Sequence, residues 1–213
     1  MTILTFPTLN ARGTARGPTS ATWSLLANTR TLSSPFDGTV QTVAMPGARW
    51  RGTVAYTGLP AGDWHVLLAF LASLGGRAGR FTYSPPAYAR RATASIPGTV
   101  RVNGAGQTGT SLAIDGLPTA TLVFKAGDWV SFPNAASRPQ LHRITADATS
   151  DGAGAVTLSI APQLRASPAD NAVVTHDAPV GVFMLADDET GQASYRQQAS
   201  LVDITLDIIE ALA

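Results

Sequence analysis

The residues that most resemble a chemical site lie in VNGAGQTGTSLAIDGL, residues 102–117. There Gly104, Gly106 and Gly109 reproduce the G-x-G-x-x-G spacing of a dinucleotide-binding loop. Such a loop works when a strand ends at the glycines and a helix begins there, so that the helix N-terminus meets the pyrophosphate. Here GTVRV supplies a strand, but TSLAIDGLPT brings β-branched residues, an Asp-Gly turn and a proline, which argue against the helix. Asp128 lies further along in an AGDW turn rather than at the end of a second strand. The stretch reads as a glycine-rich turn entering a β unit, and no cofactor is expected.

The remaining candidates are sparse. His65, His142 and His176 have neither H-x-x-x-H nor H-E-x-x-H spacing, so no metal site is expected. The absence of cysteine excludes disulfides and thiolate ligands. No G-x-S-x-G elbow occurs. Asp187, Asp188 and Glu189 form an acidic run without the alternating ligands of a calcium loop, and read as solvated. A hydrolase would need a His–acid pair within hydrogen-bond reach in a cleft. The reading is therefore of no enzyme, with no catalytic, cofactor or metal residues. Trp129 and Phe132 in GDWVSFPN are the candidates for stacking on a glycan if they lie on an open barrel face; otherwise they belong to its core.

The elements that must carry these residues are mostly strands. ATWSLLAN, TVQTVAM and RWRGTVAYT are rich in β-branched and aromatic residues. In the last, Trp50, Val54 and Tyr56 share one face, and Arg49, Arg51 and Thr53 the other. One helix is predicted over about 63–75, with Asp63 as its N-cap and Gly75-Gly76 as its stop. Its apolar arc is wide enough to predict burial on most sides. From residue 97 onward short apolar runs alternate with turn signals, the pattern of a small barrel, and ITADATSDGAGAVTLSI reads as a hairpin. In LVDITLDII, Val202, Ile204, Leu206 and Ile208 alternate with Asp203, Thr205 and Asp207, which predicts a strand. The fold expected is mainly β with one main helix. A discontinuous scaffold domain, 1–96 with 186–213, carries an inserted β-barrel, 97–185. LPAGDW and FKAGDW look like a repeat but are taken as coincidence.

Composition adds a hint about partners. The 213 residues suit one domain with an insert, and only 14% are charged, which implies that partners cover part of the surface. Residues 1–96 hold nine arginines against Asp37 and Asp63, a balance of +7. Residues 97–213 hold five arginines and Lys125 against twelve acids, a balance of −6. Unlike halves pack on each other or meet between copies head to tail. The arginines form no basic run, so no specific nucleic-acid binding is expected. No apolar run approaches the roughly 20 residues of a membrane helix. MTILTFPTLNARG lacks a basic-then-apolar leader, so export by the standard route is not expected.

The segment SSPFDGTVQTVAMPGARWRGTVAYTGLPAGDWHVLLAFLASLGGRAGRFTY resembles the distal tail, or tail-tip, proteins of long flexible-tailed bacteriophages. The likeness lies in S-P-F-x-G before a strand, in G-x-R-W, and in a helix reading A-F-L-x-x-L-x-G-R-x-G-x-F. FKAGDWVSF, LHRITADATSDGAGAVTLSIAPQLRASPADNAVV and GVFML resemble the barrel segments of the same proteins, so the likeness spans most of 33–185. It implies a structural virion protein of the tail tip, assembled in the bacterial host cytoplasm. Such a protein forms a baseplate ring, usually a hexamer, around a DNA channel. It joins the major tail tube protein to the tail-tip hub protein and to side-fibre or receptor-binding proteins. It also implies a split-barrel or β-sandwich ring domain with a projecting barrel of oligonucleotide/oligosaccharide-binding (OB-like) type. The alternative is a carbohydrate- or fibre-binding module used in host attachment. A closed ring needs head-to-tail contacts. For these, Arg49 and Arg51 are the candidate cations, with Asp203 and Asp207 as their candidate partners across the interface. Strand edges pairing across subunits are a further expected contact.

Overall fold

The structure, a computed structural model, describes residues 2–11, 13–86, 88–191, 193–196 and 201–212. It is mainly β, with 42% strand and 8% helix, one α-helix and a curled half-barrel sheet. That sheet runs Ile3–Thr5, Arg80–Tyr83, Gly181–Leu185, Leu201–Glu210, Arg49–Leu59, Ser20–Leu26, with Ala193–Arg196 added beside the start of Leu201–Glu210. All pairings are antiparallel except that of Ile3–Thr5 with Arg80–Tyr83.

The returning terminal strand is central, not peripheral. Leu201–Glu210 lies between Arg49–Leu59 and Gly181–Leu185, registered from Val202 opposite Leu59 to Ile209 opposite Arg51. The period-two pattern explains the placement. Val202, Ile204, Leu206 and Ile208 are all buried with Trp50, Val54 and Tyr56 in one core. Burying four such side chains contributes on the order of 6–12 kcal/mol as an upper estimate, comparable to a whole domain's net stability.

The helix runs Ala61–Leu74, two residues earlier than predicted at its start. Pro60, not Asp63, is its N-cap, and the Pro60 carbonyl accepts the Asp63 and Trp64 N–H groups at 2.9 and 3.1 Å. Asp63 is instead buried, and its Oδ1 accepts the distant Ala11 N–H at 2.7 Å. Gly75, at φ +63°, ends the helix in the left-handed region as expected. The helix is buried on one side only: Leu67 and Leu74 are buried, Leu68, Phe70 and Leu71 half-buried, and Val66 is 47% exposed. A helix laid on one open sheet needs a single apolar stripe, so its wide apolar arc overstates its burial.

The barrel is a second core. Its strand path is Trp129–Pro133, Pro139–Ile144, Val156–Ala161, Ser111–Asp115, Arg101–Val102. Two bridges close it, Arg101 with Val173 and Ser131 with Thr175, so that 173–175 joins the first strand to the last. The expected hairpin is split: Pro139–Ile144 pairs with Val156–Ala161, while Ala148–Thr149 turns aside to pair with Leu122–Phe124.

Both predicted domain boundaries shift. Gly181–Leu185 belongs to the scaffold sheet, where Gly181 opposes Tyr83, so the insert ends near residue 180. An apolar run such as GVFML suits either core, and only its pairing decides. At the other end, residues 88–96 are strapped to the barrel. Tyr88 Oη donates to Trp129 O at 3.2 Å, Arg90 Nη1 to Val123 O at 2.7 Å, and the Arg91 N–H to Asp128 Oδ1 at 2.8 Å. Asp128 is fully buried and also accepts the Lys125 N–H. The two AGDW aspartates thus share a role, each pinning a backbone amide from a distant segment.

Scaffold and barrel meet through Trp50, Trp129 and one buried ion pair. The two indoles are 4.5 Å apart edge to face, Arg143 lies 4.4 Å over Trp129, and Trp50 Nε1 donates to Leu141 O at 3.0 Å. Arg165 of the barrel pairs with Glu210 at the end of the terminal strand, and Glu210 also accepts the Trp50 N–H. Burial pushes the Glu210 carboxyl up and the Arg165 guanidinium down, so desolvation outweighs each partner's attraction. Breaking such a pair from one side strands a charge. Arg165→Met is expected to destabilise the fold by about 3–5 kcal/mol, whereas Arg165→Met with Glu210→Gln recovers most of the loss. Chemical denaturation of the three proteins checks this.

Candidate assembly surface

The sequence-predicted residues fall into three groups. Gly104, Gly106 and Gly109 all have positive φ, at +94°, +75° and +78°, in the loop between the paired strands Arg101–Val102 and Ser111–Asp115. Gln107 holds that loop: its Nε2 donates to Asn103, Gly104 and Ala113 carbonyls and its Oε1 accepts the Ala113 N–H. No helix follows, so the loop is a hairpin connection without a phosphate cradle.

Trp129 and Phe132 present no open face. Trp129 is 4% exposed and sits at the junction with Trp50, in the scaffold's core rather than the barrel's. Phe132 is 1% exposed and stacks at 5.0 Å on the parallel ring of His142. Neither reaches a sugar, and the glycan-stacking expectation is corrected on that ground. Asp203 and Asp207 are likewise occupied at home: Asp203 Oδ1 accepts the Gly58 N–H at 2.7 Å, and Asp207 accepts the Thr53 hydroxyl. Neither is presented outward as a free partner for a neighbouring copy. Arg51 is exposed and Arg49 half-exposed on the outer sheet face, and among the described residues neither forms an ion pair.

Other groups with chemical potential stay local. His176 Nδ1 lies 2.8 Å from Asp177 Oδ1, but no hydroxyl is bonded to His176 among the described residues. Asp188, in the acidic run, accepts the Arg77 N–H at 2.7 Å, and Asp187 accepts that of Glu189 at 3.0 Å. Among the described residues no three His, Asp or Glu side chains converge as a metal site, and no helix is long and apolar enough to cross a membrane.

The feature that sequence reasoning missed is an arm. Ser20–Leu26 and Arg49–Leu59 are the two legs of a long hairpin, and beyond them Thr29–Ser33 and Val40–Ala44 continue it as a separate two-stranded ribbon. Every residue of that ribbon is exposed. At the elbow two residues, 27–28, oppose four, 45–48, a bulge that bends the strand there and separates the ribbon's ladder from the sheet's. Asn28 Nδ2 donates to Pro46 O at 2.6 Å and Asn28 O accepts the Met45 N–H at 2.7 Å, which fixes the bend. Leu25, Leu26, Leu32, Phe36, Val40, Val43 and Met45 are seven of the twelve exposed large apolar side chains among the described residues. They lie on both faces of the hairpin: Leu32 and Val43 share one face of the ribbon, and Val40 lies on the other. The apolar residues of SSPFDGTVQTVAM mark strands, but their spacing does not say that these strands lack cover.

The tip is ordered by its own hydrogen bonds. Asp37 Oδ1 accepts the Thr39 N–H at 3.1 Å and the Thr39 hydroxyl at 2.8 Å, and Ser34 N–H donates to Thr39 O at 2.8 Å. The Ser34 side chain foremost, and then the Thr39 N–H and hydroxyl, hold the Asp37 carboxyl below its ordinary range, and Phe36 beside it is 97% exposed.

At the far end of Arg49–Leu59 lies an open groove of about 480 Å³ walled by Phe6, Tyr56, Tyr83, Tyr88, Pro85 and Arg16. Phe6 meets Tyr83 edge to face at 4.8 Å, and the Tyr56 and Tyr83 hydroxyls are 3.2 Å apart. Burial pushes both phenols up, so they stay neutral.

Within the barrel, burial drives the His142 imidazole down to about 3. Its Nδ1–H donates to Pro162 O at 2.8 Å, leaving a bare, buried Nε2. A depressed folded value means that the unfolded chain takes the proton first, so stability falls as pH drops from about 6.5 toward 3. The loss is on the order of 4–5 kcal/mol at the acid end. His142→Phe is expected to flatten the stability curve in that window, as urea denaturation at stepped pH will show. No protein-family model matches the chain, and no curated protein matches it either.

Proposed function

We propose that this chain is a structural ring subunit of a phage tail tip, joining a tail tube to a tip hub and side proteins, with no enzymatic activity. The observation that carries the reading is the arm. A two-stranded ribbon exposed along its whole length is marginal in water, and this one bears large apolar side chains on both faces that no described residue of its own chain covers. It is built to be covered by another chain. The scaffold behind it is rigid, with the terminal strand locked centrally and the barrel clamped through Trp50, Trp129 and the Arg165–Glu210 pair. The sheet's two edge strands, Ile3–Thr5 and Ser20–Leu26, offer further unpaired backbone to neighbours.

These features support an assembling wedge, and the resemblance of SSPFDG through GRFTY to distal tail proteins gives the assembly its class: a closed, sixfold ring around a DNA channel, within the virion. The barrel, with Phe132 in its own core and Trp129 buried at the junction with the scaffold, is read as a docking block for tail proteins rather than a sugar reader.

Negative-stain imaging and light scattering of the purified chain test the reading. Closed rings are expected at high concentration. Replacing residues 29–44 with an Asn-Gly turn is expected to give a folded monomer with unchanged barrel stability. A wild-type chain that stays monomeric at every concentration and salt overturns the reading.

A further inference from the structure

The arm and the groove stand at opposite ends of the same strand. The ribbon leaves the sheet beside Arg49, and the groove is walled by Tyr56 near the other end. Seven residues of strand separate them by about 23 Å, while the ribbon's five paired residues span only about 16 Å. Phe36 cannot fold back onto its own groove, so any occupant of that groove resembling this tip comes from another copy.

The two surfaces match. The tip offers one fully exposed aromatic ring, held out by a hydrogen-bonded turn, with the Asp37 carboxylate beside it. The groove offers the half-buried rings of Phe6 and Tyr88, with the buried Tyr56 and Tyr83 in its wall, around a space of about 480 Å³, larger than one phenyl group, with exposed Arg16 on its rim. Arg16 spends one bond on Gly58 O at 3.2 Å, leaving other guanidinium hydrogens for an anion. Asp177, the acid on the groove wall, is turned to His176. An aromatic anchor filling a preformed aromatic pocket, with a charge pair at its rim, is the usual form of an interface hot spot.

We propose that Phe36 at the tip of each arm seats in the aromatic groove of the next copy, with Asp37 against that copy's Arg16. The contact is heterologous: tip and groove are different surfaces, so each subunit gives one and receives one, and the chain of contacts closes or runs on. This inference rests on the assembling-subunit reading and names the contact that drives it.

The chain contains no cysteine, so an engineered pair reports without background. Ser84 lines the groove and accepts a conservative Ser84→Cys change, paired with Phe36→Cys at the tip. Under mild oxidation the double variant is expected to give a ladder of covalent oligomers with 36–84 linkages identified by mass spectrometry. Mixing the two single variants is expected to give 36–84 linked pairs. Phe36→Ser, at a fully exposed site, is expected to keep the melting temperature and to raise the concentration for half-assembly by about tenfold or more. Rings that form without 36–84 linkage, and that Phe36→Ser leaves unchanged, overturn the tip contact and leave the ring reading standing. Linkage in open chains without rings supports the contact and removes the closed circle. Neither linkage nor assembly overturns both.

Discussion

The pairing of Leu201–Glu210 between Arg49–Leu59 and Gly181–Leu185 is the constraint on which the molecule depends. It joins the last described strand to the first half of the chain across some 150 residues, and it carries four buried apolar side chains into the scaffold core. It also delivers Glu210 to the place where Trp50 and Arg165 meet, so one strand sets both the scaffold and the seat of the barrel. Contacts of such long sequence separation carry a large loop-closure cost before they return any burial. They come as a set: the terminal strand cannot loosen without opening the core and unclamping the insert.

Much of the scaffold was legible because periodicity is a local signal. The alternation in 49–59 and 201–209 told which side chains face inward, and Gly75 told where the helix stops. What the sequence does not carry locally is pairing. GVFML is apolar on both faces and so fits a barrel wall or a scaffold strand equally well. The partner of Asp63 is Ala11, fifty-two residues away, and no cap signal distinguishes a tertiary acceptor from a helix cap. Trp129 reads as barrel by position but is captured by Trp50, because an indole at a strand start reaches across the junction.

The assembly surface was hidden for a related reason. Apolar residues in SSPFDGTVQTVAM predict strands, and strands predict burial. Nothing in the pattern says that the burying partner is missing from the chain. Only the geometry separates a hairpin inside a sheet from one that extends past its edge. Charge was a weaker guide: Asp203 and Asp207 alternate correctly for an outer face, yet each is spent on a neighbouring strand's backbone or hydroxyl. An acid on an exposed face is not thereby free for a partner.

One detail of the topology reaches beyond this chain. The insert leaves the scaffold after Tyr83 and re-enters at Gly181, and those two residues are opposite each other in adjacent strands. Its ends are therefore about 5 Å apart, the spacing of neighbouring strands. A module hung from two such posts is a cassette: it can be shortened, enlarged or exchanged without re-threading the sheet beneath. The condition is that whatever replaces it still brings a plug for the exposed edge of Trp50 and a cation for Glu210.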